Sequence, residues 1–287
     1  MSSRCIRFSA LAAVLSAACF ASTADAQPAG QNQGRITWVG GLDFSNAYLF
    51  RGLLQDDTKV ILWPFAEAAA ELVRADDGLQ SLTLHIGTWN SLHTGATGLD
   101  AIPPELWYES DIYGTLAAGF LDGVVVSGTY MVYTSPSNRF STVQELIFKA
   151  TVDDIGASGI GINPHALVAF ELTASPGLGQ ADGGQNGGTY LEIGATPGWN
   201  DALVNLKFPI KLGFSLKDYY ELGAVDHKFG YLSLAAVATV PFATGSDFGS
   251  WNVHGGVEFL SLGNTPEAFN RGDQTKLIFS AGVSFRY

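Results

Sequence analysis

The amino-acid sequence predicts an all-β protein, a transmembrane antiparallel up-and-down β-barrel of about 12 strands, with 10 or 14 strands as alternatives. Three observations support this prediction: long segments that alternate between apolar and polar residues, regularly spaced turn residues, and tryptophans confined to segment ends. The alternative is an exported, soluble β-sandwich. A sandwich would rarely need so many long strands with so few surface lysines.

The clearest alternation runs through residues 204–217. Even positions from Val204 to Leu216 are apolar, whereas the odd positions include Lys207, Lys211 and Lys217. Because the side chains of a strand alternate between two faces, this segment has one apolar face and one partly charged face. Strands of soluble domains usually span about 5–6 residues. A longer strand with charge on its inner face is typical of a membrane-spanning barrel.

Gly, Asp, Asn and Pro residues divide the chain after the N-terminal segment into about twelve predicted strands. These are residues 35–51, 59–74, 79–93, 105–120, 123–134, 140–153, 163–174, 188–199, 202–217, 228–242, 250–262 and 274–287. The connections alternate between short ones such as Ala75–Gly78 and longer ones such as 94–104. Short periplasmic turns and long outer loops are the pattern of bacterial outer-membrane barrels. An even strand number would return both termini to the periplasm.

Aromatic residues support the same location. The predicted periplasmic rim carries Trp38, Trp199 and Trp251, and the predicted outer rim carries Trp63, Trp89 and Trp107. Barrels of the outer membrane have aromatic girdles at both interfaces. Tyr287 ends the last alternating segment and resembles the terminal signal of outer-membrane barrels, which implies the barrel-assembly machinery as a partner.

The N-terminus predicts export from a Gram-negative cell. Basic residues precede an apolar run, Phe8–Phe20, that is too short to span a bilayer. Ala24–Ala26 has the A-x-A form of a cleavage site. We therefore expect residues 1–26 to be a secretory signal peptide and residues 27–287 to form the barrel. Cleavage before Cys19, which would give a lipoprotein, is the alternative.

Composition excludes several other classes. Both cysteines lie in the predicted signal, so no thiol or disulfide remains in the mature chain. No later stretch is apolar enough for a transmembrane helix. The net charge of −12 argues against nucleic acid as a partner, because phosphate binding needs clustered Lys and Arg.

Most charged residues of the predicted strands share the face opposite the lipid. They are Asp43, Arg51, Glu67, Glu71, Glu109, Asp111, Glu145, Lys149, Glu171, Glu192, Lys207, Lys211, Glu258, Lys276 and Arg286. In one interpretation they line a water-filled pore and set its selectivity. In the other they pair across neighbouring strands and largely fill a narrow lumen.

A possible ligand site lies at the predicted outer mouth. Regular alternation along the two predicted strands points the side chains of Trp89 and Trp107 inward, unless a β-bulge reverses one of them. Beside polar neighbours they can stack on and hydrogen-bond a small polar ligand such as a sugar or nucleoside; the complete set is Trp89, Asn90, His93, Trp107, Glu109 and Asp111. The alternative is that these residues pack a loop plug against the wall.

The end of the first predicted strand carries a short motif, Ser45, Tyr48, Arg51 and Gly52. It resembles the Ser-x-x-Tyr-x-x-Arg-Gly-like element of a family of uncharacterised bacterial outer-membrane barrel proteins. The resemblance implies an outer-membrane location and no particular substrate. From the residues alone, glycine permits a sharp bend and arginine can pair with carboxylates of the lumen.

We expect no enzyme, no metal and no cofactor, because the histidines at positions 85, 93, 165, 227 and 254 show neither a nucleophile motif nor metal-ligand spacing. Acidic loop residues such as Asp57 and Asp273 can bridge lipopolysaccharide phosphates through divalent cations, although the default interpretation is a solvated acidic face. The predicted partners are outer-membrane lipid and lipopolysaccharide. The leading functional prediction is porin-like passage of small polar solutes. A plugged barrel with an envelope role is the second prediction, and an outer-membrane lipid-modifying enzyme is the third.

Overall fold

The computed structural model describes residues 35–96, 106–154, 159–172, 186–201, 203–246 and 249–287. The predicted signal peptide, most of the 94–104 connection and part of the 175–187 connection lie outside these ranges. The strands are β1 Ile36–Ser45, β2 Tyr48–Phe50, β3 Leu53–Asp56, β4 Ile61–Arg74, β5 Leu79–His93, β6 Trp107–Phe120, β7 Val124–Thr134, β8 Val143–Val152, β9 Ile160–Gly161, β10 Pro164–Glu171, β11 Thr189–Ala195, β12 Gly198–Asn200, β13 Asn205–Lys207, β14 Ile210–Lys217, β15 Glu221–Leu222, β16 Val225–Asp226, β17 Phe229–Ser246, β18 Gly249–Leu262 and β19 Thr275–Arg286. One helix, α1, spans Asn264–Phe269, and a 3₁₀ turn spans Leu121–Gly123.

Fifteen of these strands form one antiparallel sheet that closes on itself. Three wall positions are each built from two successive segments, β9 with β10, β11 with β12 and β13 with β14, so the barrel has twelve positions. The first and last strands close it, with β1 paired to β19 from Val39↔Arg286 to Ser45↔Ser280. The prediction of a 12-stranded antiparallel barrel is confirmed.

The two ends of the barrel differ. We call the end that carries the start of β1 and the end of β19 the turn end, and the opposite end the loop end. Short connections such as residues 75–78 and the 3₁₀ turn lie at the turn end. The residues between β1 and β4, and α1 between β18 and β19, lie at the loop end. Among the described residues, no helix is both long and apolar enough to cross a membrane.

The wall is apolar outside and mixed inside. Ile86, Ile112 and Phe279 are 57%, 59% and 55% exposed on the outer face. In its loop-end half, the inner face carries buried apolar residues such as Ile147 and Leu260 together with the buried carboxylates of Glu109, Asp111 and Glu145. In its turn-end half, the inner face carries charged and polar side chains. The loop-end half therefore forms a largely hydrophobic core that encloses a few carboxylates.

The strand predicted over residues 202–217 is interrupted. Its outward residues alternate as predicted, with Phe208 and Ile210 exposed and Lys207 buried on the inner face. Ladder pairing stops around Pro209, however, and separates β13 from β14. Proline has no N–H to donate to a ladder. The next two wall positions are also broken, at Pro197 between β11 and β12 and at Pro164 where β10 begins. The interruption therefore crosses three adjacent wall positions.

The first strand is shorter than predicted. β1 ends at Ser45 rather than at residue 51, and residues 46–60 leave the wall and form the β2–β3 hairpin. All hairpin residues from Tyr48 to Leu54 are buried. They contact inward side chains of β4, β5, β7 and β8. We call residues 46–60 the plug hairpin; its residues 47–56 occupy the lumen at the loop end.

Candidate functional site

The tip of the plug hairpin is a two-residue turn. Phe50 pairs with Leu53, and the residues between them, Arg51 and Gly52, have φ angles of +47° and +86°. Positive φ at both central positions is the geometry of a type I′ hairpin turn. A Cβ on Gly52 would lie 3.3 Å from both Pro266 and Tyr231, so glycine also allows the tip to approach α1 and β17.

Arg51 attaches the tip to the wall. Its Nη1 and Nη2 donate to Glu145 Oε1 and Oε2 on β8 at 2.7 and 2.8 Å, and Nη1 also donates to the Tyr219 hydroxyl at 2.6 Å. The guanidinium carbon lies 4.3 Å from the ring centroid of Tyr190. Both members of the ion pair have side chains that are 0% exposed. Bidentate charge-assisted bonds and cation–π contacts of this kind are strongest away from water.

Tyr48 attaches the base of the hairpin. Its hydroxyl donates to Glu109 Oε2 at 2.8 Å. Its ring packs against Trp63 and Trp89 with centroid distances of 5.7 and 5.5 Å. Trp63 and Trp89 are themselves 0% exposed. The space beside Trp89, where the sequence suggested a polar ligand, is thus occupied by a tyrosine of the chain itself.

The residues of the predicted mouth site divide between two faces. Trp89, His93, Glu109 and Asp111 are buried inside the barrel. Asn90 and Trp107 lie on the outer face, where Trp107 is 50% exposed and donates from Nε1 to Asn90 Oδ1 at 3.1 Å. The structure therefore separates Asn90 and Trp107 from the other four.

A β-bulge is the reason for this separation. Ser91 pairs with Glu109 but Leu92 pairs with Trp107, so Tyr108 has no partner and the facing of Trp107 is reversed. The prediction that Trp107 points inward is wrong. Tyr108 points inward instead and stacks on His93 with a centroid distance of 4.1 Å. No feature of the local sequence distinguishes a bulge here from regular alternation.

The loop end is completed by the connection after β14 and by α1. Tyr219 and Tyr220 are 1% and 0% exposed, and the Tyr220 hydroxyl donates to the Arg51 carbonyl oxygen at 2.8 Å. Thr265 of α1 donates to the Tyr220 carbonyl oxygen at 2.8 Å. Both tyrosines fall between the strands predicted over residues 202–217 and 228–242, in a predicted connection. Their adjacent aromatic rings, which are unusual in an exposed loop, were the available signal.

In the turn-end half of the lumen, histidines pair with carboxylates. Nδ1 of His85 lies 2.9 Å from Glu67 Oε1. The corresponding distances are 3.1 Å between His165 and Glu192 and 2.9 Å between His254 and Asp43. Lys211 Nζ is 3.5 Å from Glu258 Oε1. These contacts follow the interpretation in which polar side chains of the lumen pair with one another across strands.

Most of the fifteen charges assigned to the lumen lie on the inner face, and four need separate description. Arg51 is on the plug hairpin rather than on the wall. Glu71 pairs with Arg74 at the turn end, where Arg74 is exposed. Glu171 accepts from the backbone N–H of Gly188 at 2.7 Å at the loop end. Lys276 pairs with Asp57 at the loop-end rim. The inner-face residues are Asp43, Glu67, Glu109, Asp111, Glu145, Lys149, Glu192, Lys207, Lys211, Glu258 and Arg286.

Asp57 joins the return segment of the plug hairpin to the rim. Lys276 Nζ lies 2.5 Å from Asp57 Oδ2, and Arg271 Nη1 lies 2.9 Å from Asp57 Oδ1. Burial alone would raise the pKa of Asp57, but the hydrogen bonds and charges of Lys276 and Arg271 outweigh burial and lower it. In the part of the chain that the structure describes, no group of three or more His, Cys, Asp or Glu side chains is placed to hold a metal ion.

The fold is similar to those of solved bacterial barrels. The NanC porin is 10% identical, with a TM-score of 0.47 over 87% of this chain and 98% of that chain. The β domain of the Bordetella autotransporter BrkA is 13% identical, with a TM-score of 0.43 over 88% and 99%. OmpF of Salmonella typhi, in a complex with daunomycin, is 9% identical, with a TM-score of 0.41 over 88% and 97%.

By sequence, no protein-family model and no curated protein matches the chain. At identities near 10%, the structural likeness concerns the barrel alone. The candidate function therefore has to be argued from the contacts inside the lumen.

Proposed function

We propose that this protein is a bacterial outer-membrane β-barrel that is sealed at its loop end by its own plug hairpin and has a structural role in the envelope. The observation that carries the proposal is the bidentate pair of Arg51 with Glu145. β8 lies five wall positions from β1 in a ring of twelve. The hairpin that leaves β1 therefore reaches nearly across the lumen before it is fastened.

Apolar packing supports a lasting seal. Leu49, Phe50, Leu53 and Leu54 are each less than 8% exposed. Burying a large apolar side chain contributes about 1.5–3 kcal/mol, so these four together stabilise the sealed state by roughly 6–12 kcal/mol. A hairpin held in this way leaves the lumen rarely. A free-energy difference of about 5.5 kcal/mol between the sealed and open states already leaves roughly one molecule in ten thousand open.

Passage of small polar solutes is the second candidate, and the turn-end half of the lumen favours it. Lys207, Glu192 and His254 are buried there on the inner face of the wall. A lining of both charge signs suits a polar path once the hairpin is displaced. In this second proposal the hairpin acts as a gate.

Conductance in planar bilayers distinguishes the two candidates. We expect the intact protein to be silent, and a variant with residues 47–59 replaced by a short Gly-Ser turn to conduct in discrete steps. The same replacement at residues 136–139, in a different connection at the loop end, serves as the control and should remain silent. Regular openings of the intact protein would contradict the permanent seal and favour gated passage.

The membrane location is tested separately. A barrel of this kind should need detergent to stay in solution, and its folded form should migrate faster than the heated form on a gel. A monomer that remains soluble without detergent would overturn the outer-membrane proposal for both candidates.

A further inference from the structure

The wall is incomplete where β1 turns into the lumen. β1 stops at Ser45, opposite Ser280, whereas β19 continues five residues further toward the loop end, to Thr275. Over that stretch β19 keeps its pairing with β18. Among the described residues, no strand pairs with its other edge there. A groove of about 730 Å³ occupies this part of the wall.

Polar contacts define the floor and the roof of the groove. At the floor, the N–H of Phe279 donates to Asn46 Oδ1 at 2.7 Å. The asparagine side chain therefore accepts the hydrogen bond that the backbone of a longer β1 would accept. At the roof, Asp57 binds Lys276 and Arg271. The segment after Asp57 forms the side opposite β19. The groove is therefore held open by specific bonds at both of its ends.

The lining of the groove is continuous with the apolar outer face of the barrel. Phe44, Val60 and Phe279 line it and are 43%, 52% and 55% exposed. The exposed residue Ala281 lies on the same outward face of β19. Such a surface, in a membrane, is in contact with hydrocarbon. An acyl chain that follows the wall can enter the groove without crossing a polar barrier.

One charged group at the groove forms none of the ion pairs found in the described ranges. This is Lys59, which lines the groove and is exposed. An ammonium at the edge of an apolar groove suits an anionic headgroup. Ser280 also borders the groove, but its side chain lies on the inner face of β19, on the same side as Ile278.

We propose that this groove binds lipid A, with one acyl chain along Phe44 and Phe279 and a phosphate on Lys59. The proposal rests on the outer-membrane location proposed above and on the orientation predicted for such barrels, in which the long loops face outward. It does not depend on whether the lumen conducts.

Lipid retention measured by native mass spectrometry tests this site. The intact protein is incubated in detergent with bisphosphorylated, hexa-acylated lipid A and then with phosphatidylglycerol. Ala281→Trp fills the groove, and Ala150→Trp, at an exposed outward alanine of β8, is the matched control. We expect Ala281→Trp to lower lipid A retention at least about tenfold, because several methylenes lose their contacts. Ala150→Trp should retain lipid A as the intact protein does.

The phosphate contact has its own test. Lys59→Gln should weaken retention by up to about fivefold, as for an exposed charge pair. The control Lys217→Gln, at a lysine whose side chain is 71% exposed, should not change it. Dephosphorylated lipid A should also be tested on the intact protein. Its retention should be no higher than the retention of phosphorylated lipid A by Lys59→Gln.

Three results would overturn the inference. They are equal retention by the intact protein and Ala281→Trp, equal loss in the two tryptophan variants, and preferential retention of phosphatidylglycerol. A protein that needs detergent but retains no lipid would refute the groove site and leave the membrane location standing. A protein that needs no detergent would refute both.

Discussion

Arg51 and Glu145 lie 94 positions apart in the chain and are joined by two hydrogen bonds of 2.7 and 2.8 Å. Both side chains are fully buried. Arg51 is on the turn of a hairpin, and Glu145 is on the wall. The pair therefore connects the plug hairpin to the barrel. A buried pair does not by itself add much stability, but the loss of one member leaves an uncompensated charge.

Removal of the arginine side chain should thus be severe. We expect Arg51→Ala to lower the free energy of unfolding by about 3–5 kcal/mol, measured by urea titration in detergent with gel migration as the readout. Arg74→Ala is the control, because Arg74 pairs with Glu71 but is 69% exposed. Its loss should cost less than about 1 kcal/mol. Equal effects of the two variants would contradict the role given to Arg51.

Replacing both members together separates charge from packing. The double variant Arg51→Leu with Glu145→Leu should unfold less easily than either single leucine variant, since it leaves no unpaired charge in the core. The same urea titration measures this. If the double variant loses the sum of the two single losses, the two side chains do not act as a pair.

The conformation of the hairpin tip predicts a specific glycine effect. Gly52→Ala should destabilise the fold by about 1–3 kcal/mol because of its positive φ, with an added cost from the 3.3 Å approaches to Pro266 and Tyr231. Gly78→Ala is the matched control, since Gly78 has a φ of +61° and no atom within 4 Å of the added Cβ. Its effect should be limited to backbone strain. A larger loss at Gly78 would argue against tight packing at the tip.

The hydroxyl of Tyr48 should matter more than an exposed one. Tyr48→Phe removes the donor to Glu109 at 2.8 Å and should cost about 1–3 kcal/mol, because a buried acceptor loses its partner. Tyr130→Phe removes a similar 2.8 Å bond to Gln144 at an exposed site and should be nearly neutral. Denaturant midpoints of both variants provide the comparison. Equal midpoints would show that Glu109 finds another partner.

The ion pairs of Asp57 predict acid sensitivity at the rim. The pKa of Asp57 is lowered by Lys276 and Arg271 in spite of burial, so its carboxylate stabilises the fold above the ordinary aspartate pKa of about 3.9. That contribution is lost as pH falls through the lowered pKa. The stability difference between the intact protein and Asp57→Asn should therefore be constant from about pH 5 upward and shrink below about pH 4. A difference that does not change over this range would contradict the assignment.

Features that depend on local alternation could be predicted. The inward and outward faces of residues 204–217 follow from period two alone. Trp107 could not be placed in this way, because β6 has one unpaired residue in its ladder with β5. Beyond that residue, each side chain points to the opposite face from the one that regular alternation predicts. Whether a ladder contains a bulge depends on the partner strand, which local sequence does not specify.

Sequence by itself determined that this chain forms long amphipathic strands in a closed barrel, because side-chain facing repeats every second residue and the turn residues are local. Only the tertiary structure decided that residues 46–60 enter the lumen and leave a groove in the wall. That outcome depends on contacts such as Arg51 with Glu145 and Tyr48 with Trp89. Their partners are far apart in sequence and are adjacent only in the closed barrel, and so no local pattern specifies them.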